Sequence, residues 1–302
     1  MAKVLDALEQ ARRERLRKLR AAGARVEAPL NPTEPGDDLE LELVEAPQRE
    51  SALRPGQRPV VAPAAHPHIA PEIVALHASD SPVAEQVRQI RTNLETVLAK
   101  LTARTIVITS PVSGDGKTLV AANLATILAD DPRTRVMLVD ADLRKPDQHR
   151  LFGVKGSPGL AEYLRGRHEL ADVAVGTSIP NLDFIPAGFP PDKPTVLLSG
   201  ERMGELLKTL EETYQWVLFD TPPMLPVTDA SLLARHVTGL ILVVRVGSTT
   251  RGAIERTQEM LAETHLPILG CILNDFNDHA APGGYYHKAY GRAEAVAADE
   301  QG

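Results

Sequence analysis

Short apolar runs alternate with helical stretches along the chain from Ser81 onwards. The runs are apolar throughout rather than at every second position, which is typical of strands covered by helices on both faces. This alternation predicts one α/β domain over residues 81–277, built on a doubly wound, mostly parallel sheet. We predict strands over residues 105–109, 135–140, 182–186, 216–220, 240–245 and 268–274, and helices over 81–101, from 117 onwards, and over 201–213, 228–236 and 252–264.

Three further segments differ from this domain in composition. Residues 1–26 predict a basic amphipathic helix, which would lie on an anionic membrane or on a partner, or else remain a solvated lead into the protein. Residues 27–80 are rich in proline and in acidic side chains and lack periodicity, so we expect a mostly disordered linker. Residues 278–302 are rich in glycine and alanine and hold three of the five tyrosines, which predicts a flexible tail.

The charge and cysteine content narrow the classes of function. A formal net charge of −7 gives no general electrostatic affinity for nucleic acid. The single cysteine, Cys271, lies in an apolar run, which predicts a buried strand residue in a reducing compartment. Neither a membrane-spanning apolar stretch nor a secretory signal is recognisable, so we expect a cytoplasmic protein whose membrane contact comes through a partner.

Residues 110–118, SPVSGDGKT, follow a predicted strand and open a predicted helix. This is the context of a phosphate-binding loop, in which glycines let backbone N–H groups face the phosphates at a helix N-terminus. Pro111 stands where the strict pattern begins with glycine. Lys117 would reach the β- and γ-phosphates of ATP, and the Thr118 hydroxyl would ligate Mg²⁺. The predicted loop contacts to the nucleotide are Ser113, Gly114, Asp115, Gly116, Lys117 and Thr118.

Acidic side chains end two of the predicted strands. Asp140 and Asp142 close one strand at a spacing that puts both carboxylates on the same side, and Asp220 closes another. Because the carboxyl ends of parallel strands share one edge of a sheet, these groups and the phosphate loop are expected to form a single metal–nucleotide site. Asp229 is interpreted as a helix cap or surface residue.

The roles within this site are predicted from residue chemistry. Carboxylates beside a triphosphate hold Mg²⁺ and accept the proton of an incoming hydroxyl, so Thr118, Asp140, Asp142 and Asp220 are the predicted metal ligands. Whether Asp140 or Asp142 acts as the base stays open. Asn274, at the end of the last strand, is either an adenine contact or part of a structural turn.

These motifs resemble those of the bacterial tyrosine kinase family, P-loop autokinases that regulate capsule and exopolysaccharide export. The likeness covers about residues 68–290. Residues 140–152, DADLRKPDQHRLF, match the family's modified second Walker motif and its continuation, and residues 159–166, 186–191 and 220–223 also resemble family motifs.

The resemblance implies an ATP- and Mg²⁺-dependent tyrosine autokinase. It further implies a membrane polysaccharide co-polymerase as activator, recruitment to the inner face of the plasma membrane, and a cognate tyrosine phosphatase. Residues 85–94, EQVRQIRTNL, resemble the helix through which family members form rings, which makes Glu85, Arg88 and Arg91 the predicted subunit interface. The predicted phosphoacceptors are Tyr285, Tyr286 and Tyr290 of a neighbouring subunit.

Two other functions compete with this one. A partitioning or septum-site ATPase would carry a second lysine five residues before the loop lysine, where this chain has Val112. A nucleotide-gated scaffold would bind ATP and assemble without transferring phosphate, and it could use all of the same site residues.

Overall fold

A computed structural model of the chain describes residues 62–63 and 69–275, except for residues 228, 235–236 and 265–266. No helix in the described residues is long and apolar enough to cross a membrane. The described strands are β1 (Ala62–Pro63), β2 (Arg104–Thr109), β3 (Val136–Asp140), β4 (Val175–Gly176), β5 (Leu182–Ile185), β6 (Trp216–Asp220), β7 (Gly239–Arg245) and β8 (Ile268–Asn274).

Helices lie between most of these strands in the sequence. The helix that opens the 81–277 region begins after Ser81, whose hydroxyl accepts a hydrogen bond from the Ala84 backbone N–H, as an N-cap does. The described helices are α1 (Val74–His77), α2 (Pro82–Val97), α3 (Lys117–Ala129), α4 (Gln148–Leu151), α5 (Leu160–Leu164), α6 (Leu170–Val173), α7 (Pro194–Leu198), α8 (Glu201–Thr213), α9 (Asp229–Ala234) and α10 (Arg251–Thr264).

The described strands form one sheet in the order β1-β4-β5-β3-β6-β2-β7-β8. Neighbouring strands pair in parallel except β4 and β5, which are antiparallel. Each face of the sheet carries its own apolar core: Ile106 and Ile108 belong to one cluster, and Val107 between them to the other. The predicted doubly wound α/β fold is confirmed.

The N-terminal boundary of the domain differs from the prediction. The composition predicts a linker that includes residues 69–80, yet Ile73 is fully buried and Val74–His77 is a helix. Asn123 on α3 holds this segment, because its side chain accepts a hydrogen bond from Ala75 N–H and donates one to the Glu72 carbonyl. The linker prediction is therefore wrong for residues 69–80, and Ala62–Pro63 also forms a short strand.

Cys271 is exposed rather than buried. It lies on β8, which stands at the end of the described strand order and also exposes Ile268 and Leu273. An apolar run predicts a strand, but it does not distinguish a central strand from one with a single neighbour.

Candidate active site

The phosphate loop connects β2 to α3 and has the backbone that the sequence predicts. Gly114 and Gly116 adopt positive φ angles of 94° and 92°, a region that favours glycine. Gly116 precedes the first residue of α3, Lys117. A Cβ atom at Gly116 would also collide with the Asn274 side chain, so this position needs glycine for two independent reasons.

Asp115 differs from its neighbours in the loop. Its side chain is buried, accepts a hydrogen bond from Val112 N–H at 3.1 Å and another from the Thr249 hydroxyl at 2.6 Å. Asn274 donates from Nδ2 to the Asp115 carbonyl at 2.9 Å. Both side chains therefore hold the loop from within the protein, and contacts of Asp115 and Asn274 with a nucleotide stay predictions.

The structure brings Lys117 together with the predicted acidic residues. Its Nζ lies 3.0 Å from Asp142 Oδ2, 3.5 Å from Asp220 Oδ1 and 3.2 Å from Thr118 Oγ1. Asp140 and Asp220 are opposite one another in the register of the parallel strands β3 and β6. The two strand ends and the start of α3 thus meet at one edge of the sheet.

Burial and mutual repulsion control the charges of this cluster. Burial raises the pKa of Asp140 well above its ordinary value, Asp220 and Asp142 raise it further, and Lys117 opposes them. Burial likewise raises the pKa of Asp220, again against Lys117. For Lys117, burial favours the neutral form, but the three carboxylates outweigh it and raise the pKa. Several carboxylates therefore share one ammonium, which favours an additional cation.

Asp140 and Asp142 differ in what surrounds them. Asp140 is fully buried, and its two oxygens accept hydrogen bonds from the backbone N–H groups of Asp142 and Gln148. One oxygen of Asp142 accepts a hydrogen bond from Lys117 Nζ, and the other accepts hydrogen bonds from the backbone N–H groups of Arg144 and Lys145. Asp142 lines the cavity beside the loop, whereas Asp140 lies behind it.

The donor set fits a magnesium ion that also binds phosphate. Asp220 Oδ1 is buried and makes no hydrogen bond within the described residues. The same part of the chain holds no group of three or more His, Cys, Asp or Glu side chains arranged as a metal cage. Mg²⁺ usually binds one or two carboxylates together with substrate phosphates and water rather than an all-protein cage. The Thr118 hydroxyl, Asp142 and Asp220 are thus suitable ligands.

A cavity of about 910 Å³ opens beside the phosphate loop. Its volume suits a nucleotide or a similar ligand. Lys117 and Thr118 line one part of it, and the loop after β3 lines another. Its walls also include apolar and basic side chains. The apolar ones are Leu119, Leu151, Pro222, Pro223, Pro226 and Val227. The basic ones are Arg144, Lys145 and Arg150.

The roles of two residues of this region are missed by sequence reasoning. Asp229 is fully buried rather than at the surface, and it binds the Arg144 guanidinium and the Thr195 hydroxyl, the latter at 2.7 Å. Gln148 is buried and donates from Nε2 to the Thr118 carbonyl at 2.9 Å. These partners are far apart in sequence and match no short motif, so only the fold pairs them.

The predicted interface residues are on α2 but make different contacts. Arg88 bonds Glu85 at 2.9 Å and the Ser79 carbonyl at 2.6 Å. Arg91 instead bonds Glu95 and the Ile127 carbonyl near the end of α3. Glu85 and Arg88 therefore form one pair, while Arg91 is engaged within the domain. The predicted acceptors Tyr285, Tyr286 and Tyr290 lie outside the described residues, as do residues 1–26 and the segment 278–302.

Comparison with known families agrees with this geometry. Residues 102–300 match the ParA family, described as NUBPL iron-transfer P-loop NTPase. The fold and the site thus define a P-loop NTPase.

Individual relatives narrow the class. The tyrosine-protein kinase YwqD of Bacillus subtilis is 35% identical over 202 residues, which are 67% of this chain and 85% of YwqD. The putative tyrosine-protein kinase EpsB of Ralstonia nicotianae is 36% identical over 224 residues, which are 74% of this chain and 30% of EpsB. The kinase domain of the Escherichia coli tyrosine kinase ETK superposes with a TM-score of 0.66 at 34% identity, over 69% of this chain and 82% of that domain.

The chain belongs to the bacterial tyrosine-protein kinase family. It spans less than a third of the length of EpsB and most of the length of YwqD.

Proposed function

We propose that the chain is a protein-tyrosine autokinase that transfers the γ-phosphoryl group of ATP, with Mg²⁺, to Tyr285, Tyr286 and Tyr290 of a neighbouring copy. One observation carries the proposal: Lys117, Thr118 and Asp142 line the cavity beside the phosphate loop, and Asp220 lies behind them, 3.5 Å from Lys117 Nζ. The kinase relatives support the same reaction.

The chain's own residues supply most of the reaction's requirements. The loop N–H groups and Lys117 hold the phosphates, and the positive end of α3 favours their negative charge. The Thr118 hydroxyl and the strand-end carboxylate of Asp220 would hold Mg²⁺, which would supply positive charge against the phosphates. Asp142 lines the cavity, which supports it as the carboxylate that meets the acceptor hydroxyl.

In the transfer step, the tyrosine oxygen forms a bond to the γ-phosphorus. The bond between that phosphorus and the bridging β–γ oxygen breaks, and ADP leaves with its electron pair. The phenolic proton passes to the Asp142 carboxylate. Asp140 accepts a hydrogen bond from the Asp142 backbone N–H and so keeps the end of the strand in place.

We extend the proposal to the cellular role on the basis of the family resemblance. The kinase regulates capsule or exopolysaccharide synthesis, is activated by a membrane co-polymerase at the inner face of the plasma membrane, and is reset by a tyrosine phosphatase. Contacts of Glu85 and Arg88 with a second copy would support a ring, since this pair is exposed on α2.

The test mixes two inactive partners. Lys117→Met keeps the tyrosines but loses the phosphate lysine, whereas the variant with phenylalanine at positions 285, 286 and 290 keeps the site but loses the acceptors. Incubated together with ATP and Mg²⁺, they should give phosphotyrosine on the Lys117→Met chain, and each alone should give none.

Two results would argue against this function. Equal phosphotyrosine in wild type, Lys117→Met and the triple phenylalanine variant would overturn the autokinase assignment. Tight ATP binding by the wild type without any phosphotyrosine, even when it is produced together with a membrane co-polymerase, would instead support the nucleotide-gated scaffold.

A further inference from the structure

The phosphate loop carries a negative charge of its own. Asp115 lies between the two glycines that give the loop its shape, Gly114 and Gly116. A carboxylate facing the triphosphate would repel it, and in a partly buried site this repulsion is only weakly screened. The loop therefore needs the Asp115 side chain to point elsewhere and to stay there.

Hydrogen bonds hold the Asp115 carboxylate on the interior side of the loop. Its Oδ2 accepts from Val112 N–H within the loop, and its Oδ1 accepts from the Thr249 hydroxyl, 134 residues further along the chain. The side chain is 1% exposed. Because Thr249 lies beyond the end of β7, its hydrogen bond also joins the loop to that distant segment.

Thr249 is itself fixed in place. It lies in the turn after β7, where its N–H donates to the Arg245 carbonyl at 3.0 Å. Its hydroxyl oxygen accepts a hydrogen bond from Arg245 N–H at 3.1 Å, so its single O–H hydrogen is directed to Asp115. The hydroxyl thus has one defined donor direction.

We propose that Thr249 is a positioning residue for nucleotide binding, which keeps the Asp115 carboxylate away from the phosphates and anchors the loop to the turn after β7. This inference rests on the nucleotide-binding part of the proposed function. Asn274 supports the same anchorage from the end of β8 through the Asp115 carbonyl. The loop is therefore held in its binding shape before the nucleotide arrives.

Nucleotide affinity tests this role without requiring phosphoryl transfer. Binding of a fluorescent N-methylanthraniloyl derivative of ATP with Mg²⁺ is measured for the full chain and its variants. Thr249→Val should raise the Kd about tenfold, as expected for losing a hydrogen bond to a charged group, and Thr249→Ser should restore it.

The double variant Thr249→Val/Asp115→Asn separates charge from shape. Removing the carboxylate removes the repulsion, so the double variant should bind more tightly than Thr249→Val alone. If Thr249 only held the loop in shape, adding Asp115→Asn would not restore the affinity, because asparagine cannot form a hydrogen bond with the valine side chain. Asp115→Asn by itself keeps only one of the two acceptor oxygens, so it gives up either the Val112 or the Thr249 hydrogen bond and serves as the reference for the double variant.

Thr250→Val is the matched control. Thr250 accepts a hydrogen bond from Ala253 N–H at the start of α10, and within the described residues its side chain makes no hydrogen bond to the phosphate loop. The Thr250→Val variant should have a slightly lower thermal unfolding midpoint and an unchanged Kd for the nucleotide. Unfolding midpoints without nucleotide are recorded for every variant, so that a loss of folded protein is separated from a loss of affinity.

Three outcomes would overturn the inference: a Thr249→Val Kd equal to that of wild type, an equal loss in Thr250→Val, or no gain from adding Asp115→Asn. Failure of the kinase assignment has a different signature, because the wild type would then bind nucleotide normally yet form no phosphotyrosine.

Discussion

The Arg144 guanidinium donates two hydrogen bonds to the Asp229 carboxylate, 2.7 Å from Nε and 3.3 Å from Nη2. The two residues are 85 positions apart, and Asp229 is fully buried at the first residue of α9. Arg144 follows directly after the acidic strand end of β3 and lines the cavity. This ion pair therefore fixes the loop that carries Asp142 against α7 and α9.

Breaking this pair should destabilise the domain. Asp229→Asn removes the charge but keeps the size of the side chain, and it weakens the bonds to both Arg144 and Thr195. We expect the free energy of unfolding to fall by about 2 kcal/mol, as measured by urea denaturation. Asp192→Asn makes the same change at an exposed position and should have almost no effect. An equal loss of unfolding free energy in both variants would mean that the Arg144–Asp229 pair stabilises the domain no more than an exposed carboxylate does.

Lys117 should dominate nucleotide affinity. Lys117→Met removes the ammonium shared by Asp142 and Asp220 and leaves their carboxylates facing the phosphates. Calorimetric titration with ATP and Mg²⁺ should show an affinity about 10- to 100-fold lower than that of wild type. Lys208→Met, at an exposed position of α8, is the control and should titrate like the wild type. Unchanged affinity in Lys117→Met would place the nucleotide elsewhere.

Gly116 should not tolerate alanine. An alanine there must adopt a left-handed backbone, which costs about 1–2 kcal/mol, and its Cβ would collide with Asn274. We expect Gly116→Ala to unfold at a lower urea concentration and to lose nucleotide affinity. Combining it with Asn274→Gly removes the collision but keeps the backbone strain and loses the Asn274–Asp115 hydrogen bond, so the double variant should recover at most a small part of the loss.

Gly204→Ala provides the contrasting case. Gly204 lies inside α8 with open space around the position of a Cβ atom. Alanine there should stabilise the protein by about 0.5–1 kcal/mol, because it reduces the entropy of the unfolded chain. If both glycine substitutions changed stability in the same direction, the assigned geometry of the loop would be wrong.

His149 should make stability depend on pH. Burial lowers its pKa below the ordinary value, Arg150 lowers it further, and Asp147 opposes them. The unfolded chain therefore binds a proton more readily than the folded one, so this contribution is complete above the unfolded pKa and is lost as pH falls through the folded pKa. Wild type should lose more stability than His149→Leu between pH 8 and about pH 5.

Urea denaturation of both proteins at the two pH values gives the comparison directly. Contributions from the other titrating groups are common to both chains and cancel in the difference. Parallel losses in wild type and His149→Leu would show that His149 titrates alike in the folded and unfolded states.

Much of the site was predictable because its signals are local. The glycines, lysine and threonine of the loop are adjacent in sequence, and Asp142 and Asp220 each follow an apolar run. Parallel strands bring such ends to one edge whatever the order of the strands, which is why these groups converge as predicted.

The sequence by itself determined the class of the sheet, the phosphate loop and the acidic strand ends, since these depend on spacing and periodicity within short segments. Only the tertiary structure decided that Asp229 is a buried partner of Arg144, that Asp115 turns inward to Thr249, and that residues 69–80 belong to the domain. It also exposed Cys271 by placing β8 at the end of the described strand order. Each of these depends on contacts between distant segments, and the hydrophobic pattern along the chain carries no record of which segments become neighbours.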